Sequence, residues 1–320
     1  MNLLPDGRQQ TLMDEADTLF LQGFEPSRIF AEWSQRGWFG RDHSSGDGLI
    51  DQVLLFRVLG RRLAAGPFLA ATLAAGLTAE CGEGELSSKI VAGQELVALA
   101  HVEQDTGNGT ESDRLGTLRA FDVPRSSYVL VVRPDSATLV ERSEKDTLQI
   151  RACIDPSVSM GLLTLAGDAQ CRGGGDWWVR GGVLVAAMAA GIAEATRDDS
   201  AFYARTRSQF GRPIGTFQAI KHRCSDMAIQ AEAAWCQVAY ASLSLSAGHE
   251  DAMQQVSAAK VVAGAAATEN SSSNIQNHGA LGCTTEHSAH LYLKRSWVLA
   301  YLCGTTDYHQ RLLLGDASAG

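Results

Sequence analysis

The chain has 320 residues, of which 45 % are hydrophobic and 20 % charged, with a formal net charge of −9. This is an ordinary balance for a soluble globular protein. The acidic surplus argues against nucleic acid as a partner, because phosphate binding rests on clustered Lys and Arg. By inspection no apolar run approaches the roughly 18 residues that span a bilayer, and the first residues lack the charged-then-apolar layout of an export signal. The seven cysteines, at 81, 153, 171, 224, 236, 283 and 303, form no C-x-x-C pair. That spacing argues against a zinc site, and the odd count reads as reduced thiols in a cytoplasm. The expectations are a cytoplasmic chain with no membrane partner and no metal ligands.

The first ninety residues read as helical. Within 47–75, Ile50, Val53, Leu54 and Val58 recur at helical spacing, and Gly66-Pro67 punctuates the run. The character changes near residue 90. Between 91 and 165 short β-type runs, such as Tyr128–Val132 and Thr138–Val140, are separated by Pro124, Pro134, Pro156 and polar turns. From about residue 180 helical spacing returns: Leu184, Met188 and Ile192 lie four apart. Ile220, Cys224, Met227, Ala231, Ala234 and Val238 then make one apolar stripe of mostly small residues. The expected class is α+β, with a helical domain over 1–90, a small β domain over 91–172 and a helical bundle over 173–320.

Three segments carry candidate chemistry. Arg205–Asp226 reads RTRSQFGRPIGTFQAIKHRCSD. Its Arg207 can offer two parallel N–H donors to a pyrophosphate, Phe210 an apolar surface, and Gln218 both a donor and an acceptor. Ile275–Arg295 reads IQNHGALGCTTEHSAHLYLKR, and Cys303–Gln310 reads CGTTDYHQ. Together they resemble, in order and rough spacing, the R-x-x-F-G-x-x-[IL]…Q…D, Q-x-h-G-G-x-G-[FY]-T-x-E-h…R and E-G-T-x-x-I-Q segments of the acyl-CoA dehydrogenases. Gly60–Pro67, GRRLAAGP, resembles a segment of that family's N-terminal helical domain.

The resemblance implies a fold of N-terminal helices, a small middle β domain and a C-terminal four-helix bundle. It also implies FAD, held by Arg207, Gln209, Phe210, Gln218, Gln276, Gly279 and Thr305, with the adenosine and pyrophosphate end at Gln276 and Gly279. It further implies α,β-dehydrogenation of an acyl-CoA substrate, with an electron-transferring flavoprotein as the usual acceptor. In the family one chain's β domain holds the flavin ring while a neighbour's R-x-x-F-G and Q-x-x-G-G segments hold the adenosine end.

The chain departs from the pattern twice. Where the family has E-P-x-x-G-S-D, Glu103–Asn108 reads EQDTGN, and no tryptophan between Trp38 and Trp177 matches the W-[IV]-[ST]-N segment. The family's base is a glutamate in one of two places, and these fall on Cys303 and on Arg180–Gly182 here, with no carboxylate in either. No catalytic residue is assigned. Glu194, Glu286 and Asp307 are carboxylates nearby in sequence and read as caps or solvated charges.

A surviving adenosine cradle beside a degraded flavin pocket resembles the base-lacking subunit of the α2β2 dehydrogenases that shorten steroid side chains in bacteria. A second acyl-CoA dehydrogenase subunit would then supply the flavin pocket and the glutamate. Two alternatives stay open: a self-sufficient homomeric acyl-CoA or acyl-carrier dehydrogenase with an unrecognised base, and a flavin-free scaffold subunit.

Overall fold

A computed structural model describes residues 5–40, 46–104 and 115–315. Five helices come first: α1 (Gly7–Leu21), α2 (Pro26–Gln35), α3 (Gly46–Arg61), α4 (Phe68–Glu80) and α5 (Gly84–Val91). Seven strands follow: β1 (Val97–Gln104), β2 (Thr117–Phe121), β3 (Tyr128–Val132), β4 (Ser136–Glu141), β5 (Thr147–Arg151), β6 (Met160–Thr164) and β7 (Ala169–Gly174). The long helix α6 (Asp176–Thr206) leads into a small hairpin, β8 (Ser208–Gln209) and β9 (Arg212–Pro213). Helices α7 (Gln218–Ser246), α8 (Ala252–His278), α9 (Ala289–Tyr301) and α10 (Thr306–Leu313) complete the chain. The helix–strand–helix order is the α+β arrangement that the sequence pattern predicts.

Contacts divide the chain into two units. One comprises Leu19–Gly48 and Ala65–Gly181, the other Met1–Thr18, Leu49–Ala64 and Gly182–Gly320.

The first of these units is built on the seven-stranded sheet, ordered β5-β6-β2-β1-β3-β4-β7. Strands β1 and β3 run parallel at its centre and every other pairing is antiparallel. Val97–Ala100 and Val129–Val132 are buried throughout, which is why these central strands read as continuous apolar runs rather than as alternation. Edge strand β5 is mostly exposed and carries Arg151, a polar edge that discourages further pairing. Helix α4 is buried from Phe68 to Thr78 and packs on β1 and β7. Beside it Phe30, Trp33, Trp38, Phe39 and Phe68 form an aromatic cluster, with Trp33 and Trp38 edge-to-face at 4.7 Å.

The second unit is a helical bundle around α6, α7, α8 and α9. Leu184, Met188 and Ile192 are buried on α6, as are Met227, Ala231, Ala234 and Val238 of the expected α7 stripe, while Ile220 and Cys224 at its start are half-buried. Helices α3 and α6 touch backbone to backbone. A Cβ on Gly60 would strike the carbonyl oxygen of Met188, and one on Gly191 would strike that of Arg57. Only glycine fits at either place. Next to this contact Arg57 Nε donates to both carboxylate oxygens of Glu194, at 2.8 and 3.0 Å, with its guanidinium 3.9 Å from the Trp235 ring centre. Glu194 is therefore a buried ion-pair partner and not the solvated charge expected from sequence. Buried Asn270 on α8 donates to the carbonyls of Ala193 and Met227, at 3.0 Å each, tying α6, α7 and α8 together.

Helix α6 has an 18-residue stretch of mean hydropathy 1.3, long and apolar enough to cross a bilayer by length and composition. That stretch is 94 % buried inside the protein, so α6 is the core helix of the bundle. All seven cysteines are free thiols.

Candidate functional site

The expected cofactor residues gather at one kind of place: the ends of the bundle helices. Arg207 follows α6 directly. Its backbone N–H donates to Tyr203 at 2.8 Å and its carbonyl accepts from Ile214 N–H at 2.8 Å, which closes the β8–β9 hairpin. The tip of the hairpin is Phe210-Gly211, with φ of +53° and +78° and Gln209 opposite Arg212. A phenylalanine in left-handed geometry costs about 1–2 kcal/mol, and Phe210 is also 91 % exposed. The fold thus holds a strained aromatic out in solvent, the sort of backbone outlier that marks functional sites. Below it Phe217 meets Phe210 edge-on at 6.1 Å and lies 4.4 Å under the Arg212 guanidinium.

Gln218 opens α7, Gln276 and Gly279 close α8, and Thr305 caps α10 by accepting from Tyr308 N–H at 3.2 Å. Arg207, Gln209, Gln218, Gln276 and Thr305 are all exposed. The side chains of Arg207, Gln209, Gln218 and Gln276 have no hydrogen-bond or ion-pair partner among the described residues. Gly279 has φ +63° with open space where a Cβ would stand, so backbone there can meet a ligand closely.

The two places where the family carries its base look different. Cys303 is fully buried and burial pushes its thiol up to about 12, which keeps it protonated at neutral pH and useless as a base. A side chain begun at Gly182 would lie 3.1 Å from Val256 Cγ1 and 4.0 Å from Lys260 Cγ. Lys260 fills this corner. Its buried ammonium donates to the carbonyls of Leu299 and Leu302, at 3.1 and 2.6 Å, capping the end of α9. Burial pushes the amine down to about 8, partly offset by Cys303. Behind it His309 is buried, donating at Nε2 to the Cys303 carbonyl (2.9 Å) and accepting at Nδ1 from the Ser257 hydroxyl (3.1 Å); burial and Lys260 pull it down to about 4. Of the other carboxylates, Asp307 is exposed and pairs with Arg311 at 3.0 Å, and Glu286 is exposed. Most of Glu103–Asn108 lies outside the described residues.

The family model "Acyl-CoA dehydrogenase, C-terminal domain" matches residues 180–318. The acyl-CoA dehydrogenase FadE27 of Mycobacterium tuberculosis is 31 % identical over 282 residues, which cover 77 % of this chain and 75 % of that one. The chain belongs to the acyl-CoA dehydrogenase family. FadE34 of the same organism, also an acyl-CoA dehydrogenase, is 41 % identical over 140 residues, 43 % of this chain but 19 % of FadE34. Among solved structures, a chain of the ChsE4-ChsE5 complex from M. tuberculosis shares the fold at a TM-score of 0.83 and 23 % identity, covering 99 % of both chains.

Membership brings FAD as the cofactor, and the donor set suits it. A free guanidinium matches a pyrophosphate, free carboxamides match the adenosine and ribose groups, and an open glycine lets the backbone approach. The sequence did not reveal Lys260. Its one signal is a lone charge inside the apolar run AAKVVAGAA, which is more often a helix surface.

Proposed function

We propose that this chain is the FAD-sharing, base-lacking subunit of a heteromeric acyl-CoA dehydrogenase. The observation that carries the reading is the contrast within the bundle. The residues suited to hold FAD are exposed and unpartnered, whereas the corner where a base belongs is filled by Lys260 and a protonated Cys303. FAD supplies the hydride acceptor when bound. Arg207 would hold its pyrophosphate, Gln218 and Gln276 its adenosine end, Gln209 and Phe210 would border it from the hairpin, Gly279 would let the backbone approach it, and Thr305 would serve the flavin end. Lys260 and Cys303 keep water and thioester out of this chain's own base corner. Proton removal from the carbon beside the thioester falls to a glutamate of a second dehydrogenase subunit, in an α2β2 assembly.

The similarity to a chain of a two-component complex supports a partner of this kind. A steroid side-chain thioester is the substrate class, on the resemblance to such pairs, and an electron-transferring flavoprotein is the acceptor. The three-part division at residues 90 and 172 belongs to the same reading.

Reconstitution with a candidate partner acyl-CoA dehydrogenase subunit tests it. Acyl-CoA-dependent dye reduction is expected from the pair and from neither chain alone. Replacing the partner's base glutamate should abolish turnover, while Cys303→Ala in this chain should leave it within about twofold. Turnover by this chain alone would overturn the reading.

A further inference from the structure

Three side chains from separate elements, each able to ligate a metal, come together in the bundle. Asp199 lies on α6, His278 ends α8, and His287 lies in the turn before α9; one ligand atom of each falls within 4.8 Å of the others. His278 Nδ1 is 2.9 Å from the Asn274 carbonyl. A carbonyl only accepts, so Nδ1 carries a proton, and in the neutral ring Nε2 presents a lone pair. That Nε2 is buried with no hydrogen-bond partner, and Asp199 Oδ2 lies 3.8 Å away. His287 Nδ1 likewise bears a lone pair, since it accepts from Ala289 N–H at 3.1 Å. Asp199 is steered by Asn274, whose Nδ2 donates to Oδ2 at 2.9 Å.

A buried ring nitrogen with no hydrogen-bond partner is costly to leave so. We propose that this chain binds one divalent zinc-class ion between Asp199, His278 and His287. The outer contacts are those that metal-ligating groups use: an imidazole whose other nitrogen donates to a backbone carbonyl, and a carboxylate held by a neighbouring donor. Two imidazoles and a carboxylate are a zinc ligand set with a fourth position left for water. Donors around a tetrahedral ion stand about 3.4 Å apart, so the present triangle contracts on binding. His287 is the member that moves. It sits in a turn and is half-buried, its ring rests on that of His278 at a centroid distance of 4.2 Å, and the ion replaces Ala289 N–H as the partner of Nδ1. Tyr203, stacked on His278 at 4.1 Å, holds the buried ring in place. The ion would brace the α8 end that presents Gln276 and Gly279. The chain lacks the paired cysteines by which zinc sites are usually read from sequence, so this site comes from the fold.

The test uses the full chain, stripped with a chelator and titrated with Co²⁺ alone as a spectroscopic stand-in for zinc. One ion per chain is expected, with visible d–d absorption of a low-coordinate site and no thiolate charge-transfer band. His287→Gln and Asp199→Asn, both at half-buried positions, should each weaken binding by more than about tenfold while the metal-free melting temperature stays close to that of the parent. His278→Gln is the less safe variant because the ring is buried. No stoichiometric uptake, uptake equal to the parent in both half-buried variants, or a thiolate band showing that the free cysteines bind the ion would each overturn the proposal.

Discussion

The helix ends around Arg207 and the corner around Lys260 belong to the same bundle and have opposite character. At the first, polar side chains stand in solvent without partners and a strained Phe210 projects from a hairpin. At the second, an ammonium, a thiol and an imidazole are buried, hydrogen-bonded or packed, with no open position. Exposed unpartnered donors cost a folded chain little, so they can be kept for a ligand. A buried charge has to be satisfied by the chain itself. The difference teaches how one bundle can keep polar side chains open for a ligand at its helix ends while closing a charged corner with its own carbonyls.

The largest effect is expected at the closed corner. Lys260→Ala leaves the Leu299 and Leu302 carbonyls without their donor and opens a cavity in the core. It should cost about 3–5 kcal/mol by denaturant unfolding, yet leave flavin content per folded pair unchanged. A loss of flavin without a loss of stability would mean that Lys260 belongs to the cofactor site instead.

A second effect of nearly that size is set by pH. Burial lowers the Lys260 amine from 10.5 to about 8, so across this window the unfolded chain binds more protons than the folded one. The stability from this group is therefore full above 10.5 and lost as pH falls through 8. Over the whole window it amounts to about 3 kcal/mol. Unfolding of the parent and of Lys260→Met, compared from pH 7 to 10, should show the parent gaining on the variant; parallel curves would place the amine in a wetter site.

Smaller effects belong to the open end. Arg207→Ala should weaken FAD binding by the complex by roughly 1.5–3 kcal/mol, the worth of a charge-assisted bidentate contact. Because Arg207 is exposed, stability should move by no more than about 0.5 kcal/mol. Unchanged flavin absorbance would remove Arg207 from the site. Gln218→Ala and Gln276→Ala should each cost about 0.5–1.5 kcal/mol of FAD affinity, read by equilibrium flavin titration. Losses equal to that of Arg207→Ala would put their ends of the cradle nearer the pyrophosphate.

The sequence made the open end legible because its residues are local. The R-x-x-F-G hairpin, the helix start at Gln218 and the turn at Gly279 are each set within a few positions, and the α7 stripe from Met227 to Val238 follows from periodicity alone. The closed corner was not legible, because its contacts span the chain. Lys260 meets carbonyls 39 and 42 residues away, and Arg57 meets Glu194 across 137. Nothing in the local pattern around Glu194 marks a buried ion pair, and nothing around Gly60 or Gly191 announces that two helices meet there. The approach of His278 and His287 is visible only once the turn between them brings the rings together.

The central claim is that FAD is shared, and flavin stoichiometry tests it most directly. The ratio of FAD to protein, with mass by light scattering, should be measured for this chain alone and for the chain co-expressed with a candidate partner acyl-CoA dehydrogenase subunit. The account predicts no flavin on the chain alone and one FAD per unlike pair in a particle of two plus two chains. One FAD per chain on this protein purified alone would contradict it and would place a complete flavin pocket within these 320 residues.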